Sequence, residues 1–282
     1  MILIADSGST KTDWLLINES ESRRIVQTDG FNPYYQTTEQ IYATLQTQLL
    51  PELSITTAVT DVFFYGAGCS GPAVNYLIEE AIRLLLPNVQ TVDVNSDMLG
   101  AARSAAGHEP GVICILGTGS NACRYDGDQI IQGILSLGFW LGDEGSGGYL
   151  GKTLVRDFFQ NRLPDELRTA FAAQYAFDRP TLLENAYQKP FPNRYFASFT
   201  PFLTEYLAHP YSQQLVVDAF QLFLETYVIR LPDARELPVH FVGSIAHYFR
   251  GQLEETVSRL GLTMGRIIKS PIDRLADYHL AH

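Results

Sequence analysis

Ile2-Leu3-Ile4-Ala5-Asp6-Ser7-Gly8-Ser9-Thr10-Lys11-Thr12-Asp13-Trp14-Leu15-Leu16 opens the chain, and its reading decides the fold. It reads as an apolar strand, a tight polar turn and a second strand. The small residues Ser7-Gly8-Ser9-Thr10 let successive backbone N–H groups converge on an anion, with hydroxyls beside them as further donors. That is a place for phosphate. Asp6 stands where the first strand ends, and a carboxylate there repels a phosphate unless a cation lies between them. Mg²⁺ is the natural candidate, because it binds few carboxylates and completes its shell with water and phosphate oxygens.

Working outward, the same design comes twice. Arg23 to Thr28 reads as a third strand, Thr38 to Leu50 as a helix and Val62 to Tyr65 as a buried strand. Pro72 to Leu86 follows as a helix with proline in its first turn, Val89 to Val94 as a strand, and Ser96-Asp97 to Ala106 as a helix. Gly107-His108-Glu109-Pro110-Gly111 then marks a boundary. Beyond it, Val112-Ile113-Cys114-Ile115-Leu116-Gly117-Thr118-Gly119-Ser120-Asn121-Ala122-Cys123 is again strand, glycine-hydroxyl turn and strand, with a third strand over Gln129 to Ile134. Two phosphate-type turns are what holding both ends of a polyphosphate requires. From Tyr149 to Arg230 the apolar spacing is helical almost throughout, an inserted block. Val239 to Val242 and Arg266 to Lys269 return to strand, Ile245 to Leu260 to helix, and Ser270-Pro271 starts a last helix to His282. The fold class is α/β.

Composition narrows the partners. Of 282 residues, 20 are Lys or Arg and 31 Asp or Glu, a formal charge of -11, so the basic footprint of a nucleic-acid binder is missing. Asp6 interrupts the first apolar run, and nowhere do about 18 apolar residues follow one another, so a soluble cytoplasmic protein with no membrane partner is expected. Cys69, Cys114 and Cys123 form no C-x-x-C pair and read as reduced thiols. No His or Cys cluster has zinc spacing.

Two familiar patterns nearly fit. Gly66-Ala67-Gly68-Cys69-Ser70-Gly71 matches the dinucleotide fingerprint, but the strand before it is the fourth, and a tight strand-to-helix turn is the better reading. Ser146-Gly147-Gly148-Tyr149-Leu150-Gly151-Lys152-Thr153 lacks only the first glycine of a P-loop, yet no apolar strand leads into it. Gly151-Lys152-Thr153 is therefore expected inside a helix, with Lys152 facing solvent or a cleft. Asp97 is placed at a helix N-terminus, whose dipole keeps a carboxylate ionised, though a plain cap would look the same. Asp143-Glu144 lies among Gly138, Gly142, Gly145, Gly147 and Gly148, which suggests backbone close to a ligand. Val242-Gly243-Ser244-Ile245-Ala246 suits the flat face of an adenine.

With these residues assembled, the chain resembles the N-acetylglucosamine kinase-like members of the sugar kinase, Hsc70 and actin superfamily, grouped with the BadF/BadG type ATPases. The likeness covers nearly the whole chain. It implies two ribonuclease H-like, actin-like ATPase domains with a central cleft. The first spans 1–109 with 270–282 packing back on it, and the second spans 110–269 with a helical insertion at about 149–230. The resemblance implies that ATP and Mg²⁺ are used. Asp6 would hold Mg²⁺ through water, and Ser7, Gly8, Ser9, Thr10 and Lys11 form the first phosphate motif. Gly117, Thr118 and Gly119 form the second, and Gly243 with Ser244 the adenosine motif. Asn32, Ser120, Asn121 and Asp143 would bind the sugar, and Asp97 would be the catalytic base. Leu137 stands where N-acetylglucosamine kinases carry a tryptophan, and Trp140 follows three residues on. The expected function is transfer of the γ-phosphoryl group of ATP to a hydroxyl of an amino sugar, foremost the 6-hydroxyl of N-acetylglucosamine, and the family likeness suggests a homodimer through the helical block. The alternative is a nucleotide-dependent regulatory ATPase or sugar sensor acting on a protein partner. Asn32, Asp97, Asn121 and Asp143 favour the kinase, because a switch has no need of sugar-directed polar groups.

Overall fold

The computed structural model describes residues 1–8, 11–18, 21–53, 59–176 and 178–280. Contacts divide the chain into two compact units, one of Met1–Glu109, Gly127–Gln129 and Ser270–His282, the other of Pro110–Asp126 and Ile130–Lys269.

In the first unit, β1 (Ile2–Ser7) and β2 (Lys11–Ile17) form an antiparallel hairpin in which Asp6 lies opposite Asp13 and Ser7 opposite Thr12. β3 (Arg23–Asp29) extends the sheet antiparallel to β2, and β4 (Asp61–Gly66) and β5 (Thr91–Ser96) add in parallel beyond β1, giving the order β3-β2-β1-β4-β5. Parallel neighbours need crossovers, and helices supply them. α1 (Thr38–Thr44) is started by a capping box between Thr37 and Gln40, α2 (Pro72–Leu85) by proline in its first turn, and α3 (Asp97–Ala106) by Ser96, which accepts from the Leu99 N–H.

Strand alternation sends the two faces to different layers. Leu3, Ala5, Trp14, Leu16, Val62 and Phe64 share a core with Ile41 of α1 and Ile78 and Ile82 of α2. Ile4, Leu15, Ile17 and Tyr65 share another with Ile272, Leu275 and Ala276 of the final helix, α13 (Ile272–Leu280).

The second unit repeats the strand order. β6 (Gly111–Leu116), β7 (Ser120–Tyr125) and β8 (Ile130–Gly133) are antiparallel, and β9 (Pro238–Val242) and β10 (Thr263–Ile268) add in parallel, so the sheet runs β8-β7-β6-β9-β10. Between β8 and β9 lie α4 (Gly138–Leu141), α5 (Gly147–Phe159), α6 (Asp165–Gln174), α7 (Arg179–Tyr187), α8 (Pro192–Ala197), α9 (Thr200–Glu205) and α10 (Pro210–Phe223). Buried Phe171, Phe202, Phe220 and Phe223 anchor this block to the sheet's Val112, Cys114 and Phe241 in one core. The helix expected over Ile245 to Leu260 is two, α11 (Ser244–Tyr248) and α12 (Arg250–Arg259), because Phe249 leaves the helical region at φ -106° and ψ 31°. The three cysteines are buried and unbridged. Among the described residues no helix is long and apolar enough to cross a membrane.

Candidate active site

The opening hairpin brings acids together. Asp6 and Asp13 face each other across the β1–β2 ladder, and the Lys11 ammonium donates to both Asp13 oxygens at 3.1 and 2.9 Å, with Gln27 donating to one of them at 2.7 Å. Burial, then the Asp13 and Asp97 carboxylates, push the Asp6 carboxyl up to about 7, with Lys11 opposing. Asp6 meets Asp13 and Asp97 as like charges and Lys11 as the opposing one; among the described residues no three acid, His or Cys groups are placed to hold a metal by themselves, so an ion here would be held by Asp6 and water. Asp13 was not singled out in the sequence; the strand register places it opposite Asp6. Ser9 and Thr10 themselves lie outside the described residues.

The side-chain roles expected at the hairpin need one revision. The Ser7 hydroxyl is buried and already engaged, 2.7 Å from the Thr12 hydroxyl and accepting from the Phe31 N–H at 3.2 Å. Gly8 donates its N–H to the Lys11 carbonyl at 3.0 Å, closing the turn. These two residues shape the hairpin rather than offer free donors.

Asp97 is the first residue of α3. One carboxylate oxygen accepts from the Met98 N–H at 2.8 Å, and burial raises its pKa, with that hydrogen bond opposing. Asn32 sits on a turn closed by the Tyr35 N–H to its own carbonyl; its side-chain oxygen accepts from the Tyr34 N–H at 3.0 Å. A Cβ on Gly68, at φ +82°, would stand 2.6 Å from that oxygen. Gly68 thus serves close approach of Asn32, and Tyr34 closes the contact through its hydroxyl, 2.6 Å from the Ser70 hydroxyl.

In the second unit the β6–β7 turn rests on the start of α5. Gly147 and Gly148 donate their N–H groups to the Gly117 and Thr118 carbonyls at 2.8 and 3.0 Å, and Thr118 is exposed. Gly243, at φ +127°, lies against the Leu116 carbonyl, where a Cβ would approach within 2.3 Å. Asp143 is buried, takes φ +58°, and accepts from the Ser120 N–H at 3.4 Å; burial raises its pKa, with that hydrogen bond opposing. The Ser120 hydroxyl is spent on the Glu144 carbonyl at 2.7 Å, so its expected sugar contact is not available from that donor. Asn121 is half-buried, its side-chain oxygen accepting from the Ala122 N–H at 2.9 Å. Tyr227, which sequence reasoning passed over, donates to Glu144 at 2.7 Å from the far end of the helical block. Nothing in local periodicity signals a pairing across that distance.

Gly151-Lys152-Thr153 lies inside α5, as its context predicts. Lys152 does not face solvent freely. It donates to the Phe139 carbonyl at 2.9 Å, and burial lowers its pKa while Asp143 and Glu144 oppose. Gly151 is glycine because α8 crosses there, with the Phe196 carbonyl oxygen 1.7 Å from where a Cβ would be. Exposed Ser244 borders a largely apolar pocket of about 550 Å³, lined also by Ala197, Thr200, Thr204, Ile245 and Tyr248.

No family model and no curated protein matches the chain. Among solved structures, a Porphyromonas gingivalis protein provisionally designated an N-acetylglucosamine kinase is 41% identical, with 100% of this chain and 99% of that one covered and a TM-score of 0.96. The chain belongs to the N-acetylglucosamine kinase-like sugar kinases. The sugar-kinase fold extends to more distant structures. A Chromobacterium violaceum protein with the same provisional designation is 17% identical at a TM-score of 0.75, with 98% of each chain covered. A Listeria monocytogenes protein provisionally designated an N-acetylmannosamine kinase is 12% identical at a TM-score of 0.55, with 99% of this chain and 98% of that one covered. The fold of this sugar kinase is that of the actin-like ATPases, two five-stranded mixed sheets of the same order.

Proposed function

We propose that this sugar kinase transfers the γ-phosphoryl group of ATP to an amino sugar, with the 6-hydroxyl of N-acetylglucosamine as acceptor. The observation that carries the reading is Asp97. It is a carboxylate at the first position of a helix with one oxygen accepting from the Met98 N–H, and burial raises its pKa, which strengthens it as a proton acceptor. The acceptor is taken from the whole-length likeness to the P. gingivalis protein.

In this mechanism Asp97 accepts the proton of the sugar hydroxyl while that oxygen forms its bond to γ-phosphorus. The bond from γ-phosphorus to the bridging oxygen breaks, and ADP leaves. Asp6 would hold Mg²⁺ through water, and the ion supplies neutralisation of phosphate charge. Lys11 is drawn from Asp13 to the phosphates, while Asn32, Asn121 and Asp143 orient sugar hydroxyls. Adenine is assigned to the 550 Å³ pocket beside Ser244, whose size and apolar walls suit a nucleobase.

The test is ADP release from Mg-ATP with N-acetylglucosamine, glucosamine, N-acetylmuramic acid, N-acetylmannosamine and glucose in turn. N-acetylglucosamine should raise turnover far above the background without sugar. Equal slow release with every sugar would overturn the kinase reading in favour of a regulatory ATPase, and preference for another sugar would overturn the acceptor alone.

A further inference from the structure

One buried phenol ties the helix of the proposed base to the last helix of the chain. Tyr65 is fully buried on β4, beside Asp6 of β1 and Asn95 of β5 in the parallel ladders. Its ring lies under α3 at Gly100, where a Cβ would stand 2.8 Å from the Tyr65 Cβ and 2.9 Å from its Cγ. Its hydroxyl oxygen accepts from the Arg103 guanidinium, three residues further along the same helix, at 2.8 Å. The hydroxyl is also hydrogen-bonded to His279 Nε2 of α13, at 2.8 Å. His279 is stacked on Phe63 with ring centroids 3.8 Å apart, and Arg103 lies 5.1 Å over the Tyr278 ring, which stacks in turn on His108 at 4.5 Å.

A phenylalanine would fill the same space without burying a hydroxyl. A buried hydroxyl and a largely buried guanidinium cost free energy unless each finds a partner; here the hydroxyl meets Arg103 and His279, and the guanidinium meets the hydroxyl and lies 4.0 Å from Asp93. α3 is thereby held at two points, Gly100 and Arg103, by the side chain next to Asp6, and the helix carries Asp97 at its first position. The apolar contacts of Leu275 and Ile272 would dock α13 by themselves, so the polar contacts at its end add fixity rather than burial.

We infer that Tyr65 is a positioning residue for phosphoryl transfer, which with Arg103 and the Tyr278-His279 end of α13 fixes α3 and so sets the place of the Asp97 carboxylate. This rests on the reading of Asp97 as the base. Placement matters because an error of about 1 Å in a reacting group lowers a rate by about a hundredfold.

The test compares Tyr65→Phe, Arg103→Gln, their double variant, Leu275→Ala and Asp97→Asn, all in the full chain, by steady-state kinetics with Mg-ATP and the best acceptor and by thermal unfolding. Tyr65→Phe should lower kcat about tenfold or more, with both KM values within twofold, since binding groups are untouched. Arg103→Gln should also lower kcat, and the double variant should fall by less than the product of the two single effects, because the two variants share the Tyr65–Arg103 bond. Leu275→Ala should lower the melting temperature and leave kcat unchanged. If Tyr65→Phe keeps kcat within twofold while Asp97→Asn loses turnover, Tyr65 is only structural and the inference falls alone. If Asp97→Asn keeps normal turnover, the base assignment falls and takes the inference with it. Should Tyr65→Phe fail to fold, Arg103→Gln decides by the same criteria.

Discussion

Gly243→Ala tests how the proposed adenosine and phosphate turns depend on each other. A Cβ at this position would stand 2.3 Å from the Leu116 carbonyl oxygen, 2.7 Å from its carbon and 3.2 Å from the Gly117 nitrogen. Ordinary contact begins near 3.4 Å, so the start of the β6–β7 turn must retreat by about 1 Å. The backbone at φ +127° adds strain of its own, because L side chains avoid that region. Strain of about 1–3 kcal/mol and overpacking of a similar size put the loss of stability at about 2–6 kcal/mol. The retreat also carries Gly117 away from a phosphate it would contact. A lost hydrogen bond to a charged group is worth about 1.5–3 kcal/mol, so ATP affinity should fall at least about tenfold. Thermal unfolding and calorimetric titration with Mg-ATP measure the two effects. Gly251→Ala is the control, since that glycine is in α12 with nothing within 4 Å of its would-be Cβ, and it should be neutral or slightly stabilising. Gly243→Ala with wild-type melting temperature and ATP affinity would refute the reasoning.

Three further outcomes are expected. Asp97→Asn should retain ATP and sugar binding by calorimetry and lose about 10²–10⁴-fold in kcat; normal turnover would remove Asp97 from the chemistry. Gly151→Ala should cost about 3 kcal/mol in urea unfolding, because the Phe196 carbonyl occupies the Cβ position and α8 must shift; an unchanged midpoint would contradict the crossing. His240 is buried on β9, accepts from the Arg266 N–H at 3.1 Å, and is pushed down to about 4 from 6.5 by burial and then by the Arg266 charge. Its folded pKa is below its unfolded one, so its contribution to stability is full above pH 6.5 and is lost as pH falls toward 4. Between pH 7 and pH 5 wild type should lose about 2 kcal/mol relative to His240→Gln. The raised pKa values of Asp6, Asp97 and Asp143 act in the opposite sense but in both proteins, so subtracting the two urea series isolates the histidine. Parallel pH profiles would show that His240 is not held neutral.

What the sequence determined by itself is what lies within a few residues of its cause. The opening strand, turn and strand, their recurrence from Val112, the helix starting at Asp97 and the enclosure of Gly151-Lys152-Thr153 in a helix all follow from periodicity of two or near four, from caps and from turn residues. Each acts through a backbone hydrogen bond or a steric preference spanning at most a turn. The pairing of Asp6 with Asp13 came from the strand register. The tertiary structure alone decided the rest. It turned the Ser7 and Ser120 hydroxyls inward, put Lys152 on the Phe139 carbonyl, brought Tyr227 to Glu144, pressed Asn32 against Gly68, and hung α3 and α13 on one phenol. Most of these contacts join residues far apart in the chain and are set by how the layers pack, and such packing leaves no periodic trace in the sequence.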